Sequence, residues 1–179
     1  MKPSVSKLID LLNKPALIKW ANKQGLKGID VGVYKESARQ RGTSRHKIIE
    51  DFTGGILCED ESLNTKMTKF FSDKKIIDTE VSFETDYFTG RYDVKLVWHD
   101  LTFICDYKSS QRIYFETKLQ LAAYRMAFPT DGLAVIHFPD LLMNPIEIDF
   151  GRYSAFLIKL SELYELKQQI ENDKFPRLV

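Results

Sequence analysis

Two aspartates and a lysine, Asp93, Asp106 and Lys108, stand in a stretch that reads GRYDVKLVWHDLTFICDYKSS, residues 90–110. Runs 91–98 and 101–108 are rich in β-branched and aromatic residues, flank His99-Asp100, and read as an antiparallel hairpin. With Trp98 opposite Leu101, each facing pair of numbers sums to 199, so Asp93 faces Asp106 and Arg91 faces Lys108. A symmetric four-residue loop gives the same register. Asp106 and Lys108 are two apart on one strand and project from the same side of it. Facing Cβ atoms lie about 5 Å apart, and like charges there destabilise the pairing. Something positive therefore belongs between the carboxylates, and a hard divalent cation with oxygen ligands, beside a lysine, suits the place. The competing account is a solvated hairpin face with scattered charges. Against it, Phe103-Ile104-Cys105 is apolar on both faces, which marks a buried strand, and a charge at the end of such a strand needs a partner.

The elements around this hairpin follow from caps and periodicity. Ser4 caps a short helix through Leu12, and Pro15 opens a second that Gly25 and Gly28 stop. Residues 33–52 form a charged helix in which His46 and Glu50, four apart, share a face. After a polar linker, a short amphipathic helix carries Met67, Phe70 and Phe71. Residues 76–83 alternate as a strand containing Glu80, next to the hairpin. Residues 115–128 form a helix with Leu119, Ala122, Ala123 and Met126 as its apolar members, and 133–138 a buried strand. Residues 146–150 read as an edge strand after Pro145, and 153–171 as a long final helix. The expectation is an α/β fold: a central mixed sheet flanked by helices, with an N-terminal helical segment. One domain is expected over residues 1–179, mainly helical over 1–72, with the sheet core and last helix over 75–179.

Net charge is +1, which conceals an asymmetry. Residues 1–47 hold eleven Lys/Arg against three Asp/Glu, and the remainder fifteen against twenty-two. A basic lobe beside an acidic one suits a phosphate-bearing partner next to metal-binding carboxylates, although exposed lysines on ordinary helices give the same pattern. The two cysteines, Cys58 and Cys105, make neither a disulfide framework nor a zinc or iron–sulfur set, as in a reducing, cytoplasmic setting. No apolar run approaches the roughly 20 residues of a membrane helix, and the N-terminus lacks a secretion signal.

Four groups fall in order: RGTSRHKIIEDF, TGRYDVKLVW, TFICDYKSS and LQLAAYRMAF. In them the sequence resembles the PD-(D/E)XK (restriction-endonuclease-like) nuclease superfamily, in its RecB-like exonuclease branch. It is similar to small phage-encoded exonucleases and to the mitochondrial genome maintenance exonuclease, and PALIKWA looks like the N-terminal segment of such phage proteins. The residue before Asp93 is Tyr92 rather than Pro, the third acidic position is Asp106 rather than Glu, and the cysteines of the iron–sulfur members are missing, so no cluster is implied.

The resemblance implies Asp93 and Asp106 as ligands of one or two Mg²⁺ or Mn²⁺ ions, with the Tyr107 carbonyl and His46 completing the shell. It implies Lys108 as the residue that orients or deprotonates the attacking water and offsets charge on the phosphate. Glu50 and Glu80 are second candidates. Gln120 and Tyr124, four apart on the helix after the lysine, are expected to hold nucleic-acid backbone or base, and Ser109, Ser110 and Arg112 to contact phosphate. The implied function is a metal-dependent DNA exonuclease acting at DNA ends, with single-stranded DNA walled by the basic helices. The rivals are a structure-selective or site-specific endonuclease on the same core, and a DNA-binding module without catalysis.

Overall fold

A computed structural model describes residues 2–12, 14–110 and 112–172. At its centre strands β2 (Thr89–Trp98) and β3 (Leu101–Lys108) form the hairpin, in a ladder from Trp98↔Leu101 to Val94↔Cys105 whose facing numbers sum to 199. His99 and Asp100 turn the chain at φ 50° and 62°. Two successive positive φ angles are the type I′ geometry, whose twist matches the strands it joins. β1 (Lys75–Glu84) pairs antiparallel with β2 on one side. On the other, β4 (Gly132–His137) runs parallel to β3, and β5 (Leu142–Pro145) closes the edge antiparallel to β4. The result is a five-stranded mixed sheet in the order β1-β2-β3-β4-β5.

A parallel pair needs a crossover, and α5 (Phe115–Ala127) lies in the one between β3 and β4. α1 (Val5–Ile9), α5 and α6 (Phe150–Asn172) share one core: Leu8, Leu119, Ala123 and Leu157 close on Ile104, Leu133 and Val135. A second core lies on the opposite sheet face, where Ile49 of α3 (Val31–Thr53) and Met67 of α4 (Glu61–Phe71) meet Val94, Leu96, Cys105 and Ile136. Truncating one of the buried leucines or isoleucines among them, or Met67, to alanine costs about 2–5 kcal/mol. α2 (Pro15–Gly25) packs on α3 through the rings of Trp20 and Tyr34, whose centroids are 5.1 Å apart. Local chemistry starts the helices. Ser4, Asp30 and Asp60 each accept a backbone N–H at an N-cap, and Pro15 opens α2.

The last strand differs from expectation. β5 ends at Pro145, and residues 146–149 are not a strand; Ile146 and Ile148 pack against the α1/α5/α6 core instead. Their alternation reflects one side buried under a helix layer, which a non-strand extended segment satisfies equally well. Asp149 accepts the Arg152 N–H and so caps α6, which therefore begins at Phe150 rather than near 153.

β2 changes sides partway along. Tyr92 packs in the α1/α5/α6 core, yet Val94, two residues on, packs in the α3/α4 core. In a regular strand the two would share a face. The switch falls at Asp93, opposite the point on β1 where the ladder passes from Thr79↔Val94 to Val81↔Tyr92 and Glu80 between them adopts φ 52°. Beside it, Thr89 N–H bonds Pro3 O, which lays the start of α1 along the opening of the sheet. Gly90 permits the close approach there, since a Cβ would come within 2.4 Å of the Phe83 ring.

Candidate metal centre

The switch point gathers three carboxylates in a row across three strands: Glu80 on β1, Asp93 on β2 and Asp106 on β3. Glu80 and Asp93 each have one oxygen anchored by the protein and the other turned toward His46, whereas both oxygens of Asp106 are engaged, one by Tyr124 and one by Lys108. Glu80 Oε2 pairs with Arg91 Nε at 2.9 Å, while its buried Oε1 accepts no hydrogen bond and lies 3.8 Å from His46 Nδ1. Asp93 Oδ2 accepts the Tyr107 N–H at 2.6 Å, taking the place of a ladder carbonyl, and Oδ1 faces His46 Nδ1 at 3.6 Å. Asp106 Oδ1 accepts the Tyr124 hydroxyl at 3.2 Å; its buried Oδ2 has the Lys108 ammonium 2.6 Å away and no hydrogen bond. Lys108 in turn donates to Gln120 Oε1 at 3.0 Å.

Burial and mutual repulsion show in the titration of the group. Asp93, 7% exposed, has its carboxyl pushed up to about 7, chiefly by burial and then by the Asp106 charge. His46 is raised above the usual imidazole value, chiefly by the Glu80 carboxylate beside it, against a lowering by burial. The hydroxyls of Tyr107 and Tyr124 are pushed well up by burial and by the nearby aspartates. His46, Glu80 and Asp93 bring one ligand atom each within 4.8 Å of one another. The unanchored oxygens of Glu80 and Asp93, joined by an imidazole nitrogen, suit a divalent cation of the Mg²⁺ or Mn²⁺ kind. The residues present fit such an ion.

A cavity of about 770 Å³ opens over the group, walled by Ser4 and Ser6 at the start of α1, by Phe83 and Arg91, and by Lys108 and Gln120. Sequence reasoning missed the α1 wall and Arg91's hold on Glu80. Nothing in residues 4–6 signals an approach to a hairpin some ninety positions away. Glu80 was within reach of the hairpin arithmetic, since across the 85–88 loop the β1–β2 pairs from Asp78 to Glu84 sum to 173 and put Glu80 level with Asp93.

Other candidates stand elsewhere or in different roles. Glu50 is exposed, with Lys47 at 3.7 Å, and lines a separate cavity with Asp51 and Asp78. It therefore does not orient His46. Gln120 and Tyr124 line the main cavity, where the Tyr124 hydroxyl is spent on Asp106 and Gln120 accepts from Lys108 through Oε1. Ser109 lines a smaller pocket beside the site. The Ser110 hydroxyl folds back on the Arg112 backbone and Arg112 is exposed, outside the main cavity. Among the described residues no helix is long and apolar enough to cross a membrane.

No protein-family model matches the sequence, and no curated protein matches it. Among solved structures, the crystal structure of SSO0001 matches with a TM-score of 0.40 and 15% identity, over 93% of this chain and 76% of that one. So distant a likeness carries no chemistry from one protein to the other.

Proposed function

We propose that this chain is a metal-dependent nuclease of the PD-(D/E)XK type that hydrolyses phosphodiester bonds in DNA, acting from ends. The observation that carries the reading is the row Glu80, Asp93 and Asp106. Glu80 and Asp93 each have one oxygen tied down and one turned toward His46, and Asp106 stands beside them between Tyr124 and Lys108, with Lys108 at the rim. Asp93, Asp106, Glu80 and His46 would hold the ion. When bound, a Mg²⁺ or Mn²⁺ ion polarises the scissile phosphate and acidifies an attacking water. Lys108, fixed between Asp106 and Gln120, supplies a positive charge at the rim where negative charge builds on the phosphate oxygens. Tyr124 keeps Asp106 in place, and the Tyr107 N–H keeps Asp93. The basic helices α2 and α3, with Lys19, Lys23 and Lys27 on α2 and the turn after it, support a channel for the DNA strand.

The test is a digestion series with end-labelled single-stranded, duplex and covalently closed circular DNA in Mg²⁺ or Mn²⁺. Cleavage that spares the circle, stops in chelator and is lost in Asp106→Ala supports the reading. Nicking of the circle would make it an endonuclease. Binding without cleavage of any substrate would leave only a DNA-binding module.

A further inference from the structure

On the far side of His46 and Lys108 from the main cavity lies a second, smaller pocket of about 180 Å³. The two cavities share those two residues, which makes the pocket a neighbour of the carboxylate row. Its lining has the opposite electrical character. The charged residues around it are Arg45 and Lys108, with His46 and Ser109 as further polar groups, and no carboxylate lines it. Arg45 sits one residue before His46 on α3 and lays its guanidinium over the Phe138 ring, 5.6 Å from the centroid. Among the described residues no carboxylate stands within ion-pair distance of Arg45, unlike Arg39, Arg91 and Arg152, each of which has one. A guanidinium steadied on an aromatic face and left without a counter-ion is a preset anion site, with its donor fork free for bidentate contact. Tyr107 also lines the pocket, and its buried hydroxyl has no hydrogen-bond partner.

Size narrows the ligand. Sites for whole drug-sized molecules run from about 300 Å³ upward, so this one takes a single anionic group rather than a complete nucleotide. We propose that the pocket bounded by Arg45, Lys108 and Ser109 binds a phosphate group of the nucleic acid next to the one cleaved, and so sets where the strand sits relative to the carboxylate row. The substrate named here rests on the nuclease reading, whereas the anion site itself rests on Arg45 and its surroundings. The phosphate is either the monoester at a strand end or the next diester along the chain.

Oligonucleotides of one sequence, bearing a 5′-phosphate, a 3′-phosphate or hydroxyls at both ends, are titrated in chelator into the full chain and its Arg45→Lys and Arg45→Ala variants. If the pocket holds a terminal phosphate, one phosphorylated form binds wild type about tenfold more tightly than the hydroxyl form, the worth of one charge-assisted contact. Arg45→Ala removes that advantage, and Arg45→Lys retains part of it. If the pocket holds an internal phosphate, all three forms weaken about tenfold together in Arg45→Ala and the salt slope drops by about one. If an Arg45→Ala protein with an unchanged melting temperature binds all three as wild type does, the proposal is overturned. Wild-type digestion in Mn²⁺ runs in parallel. Cutting with binding that ignores Arg45 overturns the pocket alone, while Arg45-dependent binding without cutting overturns the nuclease reading alone.

Discussion

Asp93→Asn in metal-free protein isolates the cost of the carboxylate row. The Asp93 carboxyl is pushed from 3.8 up to about 7, and each unit is worth about 1.4 kcal/mol. Once ionised at pH 8, the side chain thus costs the fold up to about 4 kcal/mol. Asparagine keeps an acceptor for the Tyr107 N–H and removes the charge, but presents an amide N–H₂ to His46 with imperfect geometry, a penalty of about 1–3 kcal/mol. The net gain at pH 8 is about 2 kcal/mol, or about 4–8 °C in Tm for a chain of this length. The gain depends on pH in a fixed direction. Between about pH 4 and pH 7 the folded protein holds a proton on Asp93 that the unfolded chain releases, so wild-type stability falls as pH rises through that window. His46 adds to the fall. Its folded value is raised, so its contribution is present below about 6.5 and lost as pH climbs through the folded value. At pH 5 the variant and wild type should therefore melt close together, and at pH 8 the variant should melt higher. Adding Mn²⁺ at a hundred times its Kd should raise wild type by about 2.7 kcal/mol and the variant hardly at all. Thermal melts in chelator and in Mn²⁺ at both pH values read all of this. A variant no more stable than wild type at pH 8, or one that keeps the full Mn²⁺ shift, refutes the reasoning.

Lys108→Met should abolish DNA cleavage while keeping the Mn²⁺-induced rise in Tm, because it removes the rim cation and leaves the inward oxygens in place; loss of the rise would make Lys108 part of the ion's support. Tyr124→Phe leaves a buried carboxylate oxygen without its donor and should cost about 1–3 kcal/mol in urea unfolding, with the ring packing intact. Lys19→Glu with Lys23→Glu should weaken single-strand binding and reduce the salt slope by about one to two, read from titrations at several ionic strengths.

The hairpin was legible because a two-residue turn fixes register, and register fixes which aspartates face each other. Even so the ladder between β2 and β3 stops at Val94↔Cys105, so neither Asp93 with Asp106 nor Arg91 with Lys108 is a ladder pair; Asp93 takes the Tyr107 N–H and Arg91 reaches back to Glu80. That detail needed the backbone distortion at Glu80, which no propensity foretells in a glutamate. Helical spacing correctly put His46 and Glu50 on one side of α3. It could not tell that Glu50, one turn on, faces β1 around Asp78 and meets Lys47 rather than the carboxylate row. For Gln120 and Tyr124 the face was legible but the partners were not, because the depth at which α5 lies over β3 decides whether those side chains touch the site or its ligands. The basic count over residues 1–47 covered α2 and α3 as a lobe, yet it gave no hint that Arg45 turns into a pocket.

The distortions at the row follow from one electrostatic problem. Regular pairing would put Glu80, Asp93 and Asp106 side by side on neighbouring strands, each about 5 Å from the next, with Asp93 and Asp106 buried. Three adjacent negative charges, two of them buried, are strongly destabilising in that form. The chain relieves the crowding in a different way at each strand. Glu80 takes φ 52°, a conformation costing a non-glycine residue of order 1–3 kcal/mol, and swings to Arg91. Asp93 stands in for a ladder carbonyl at the point where β2 crosses from one core to the other. Asp106 sits between a tyrosine hydroxyl and a lysine. A fold selected for stability alone would replace one of the three by an apolar residue and straighten both strands. On the proposed reading, retaining all three with the bends makes sense where a divalent cation supplies the missing charge, which would offset both the strain at Glu80 and the elevation of Asp93.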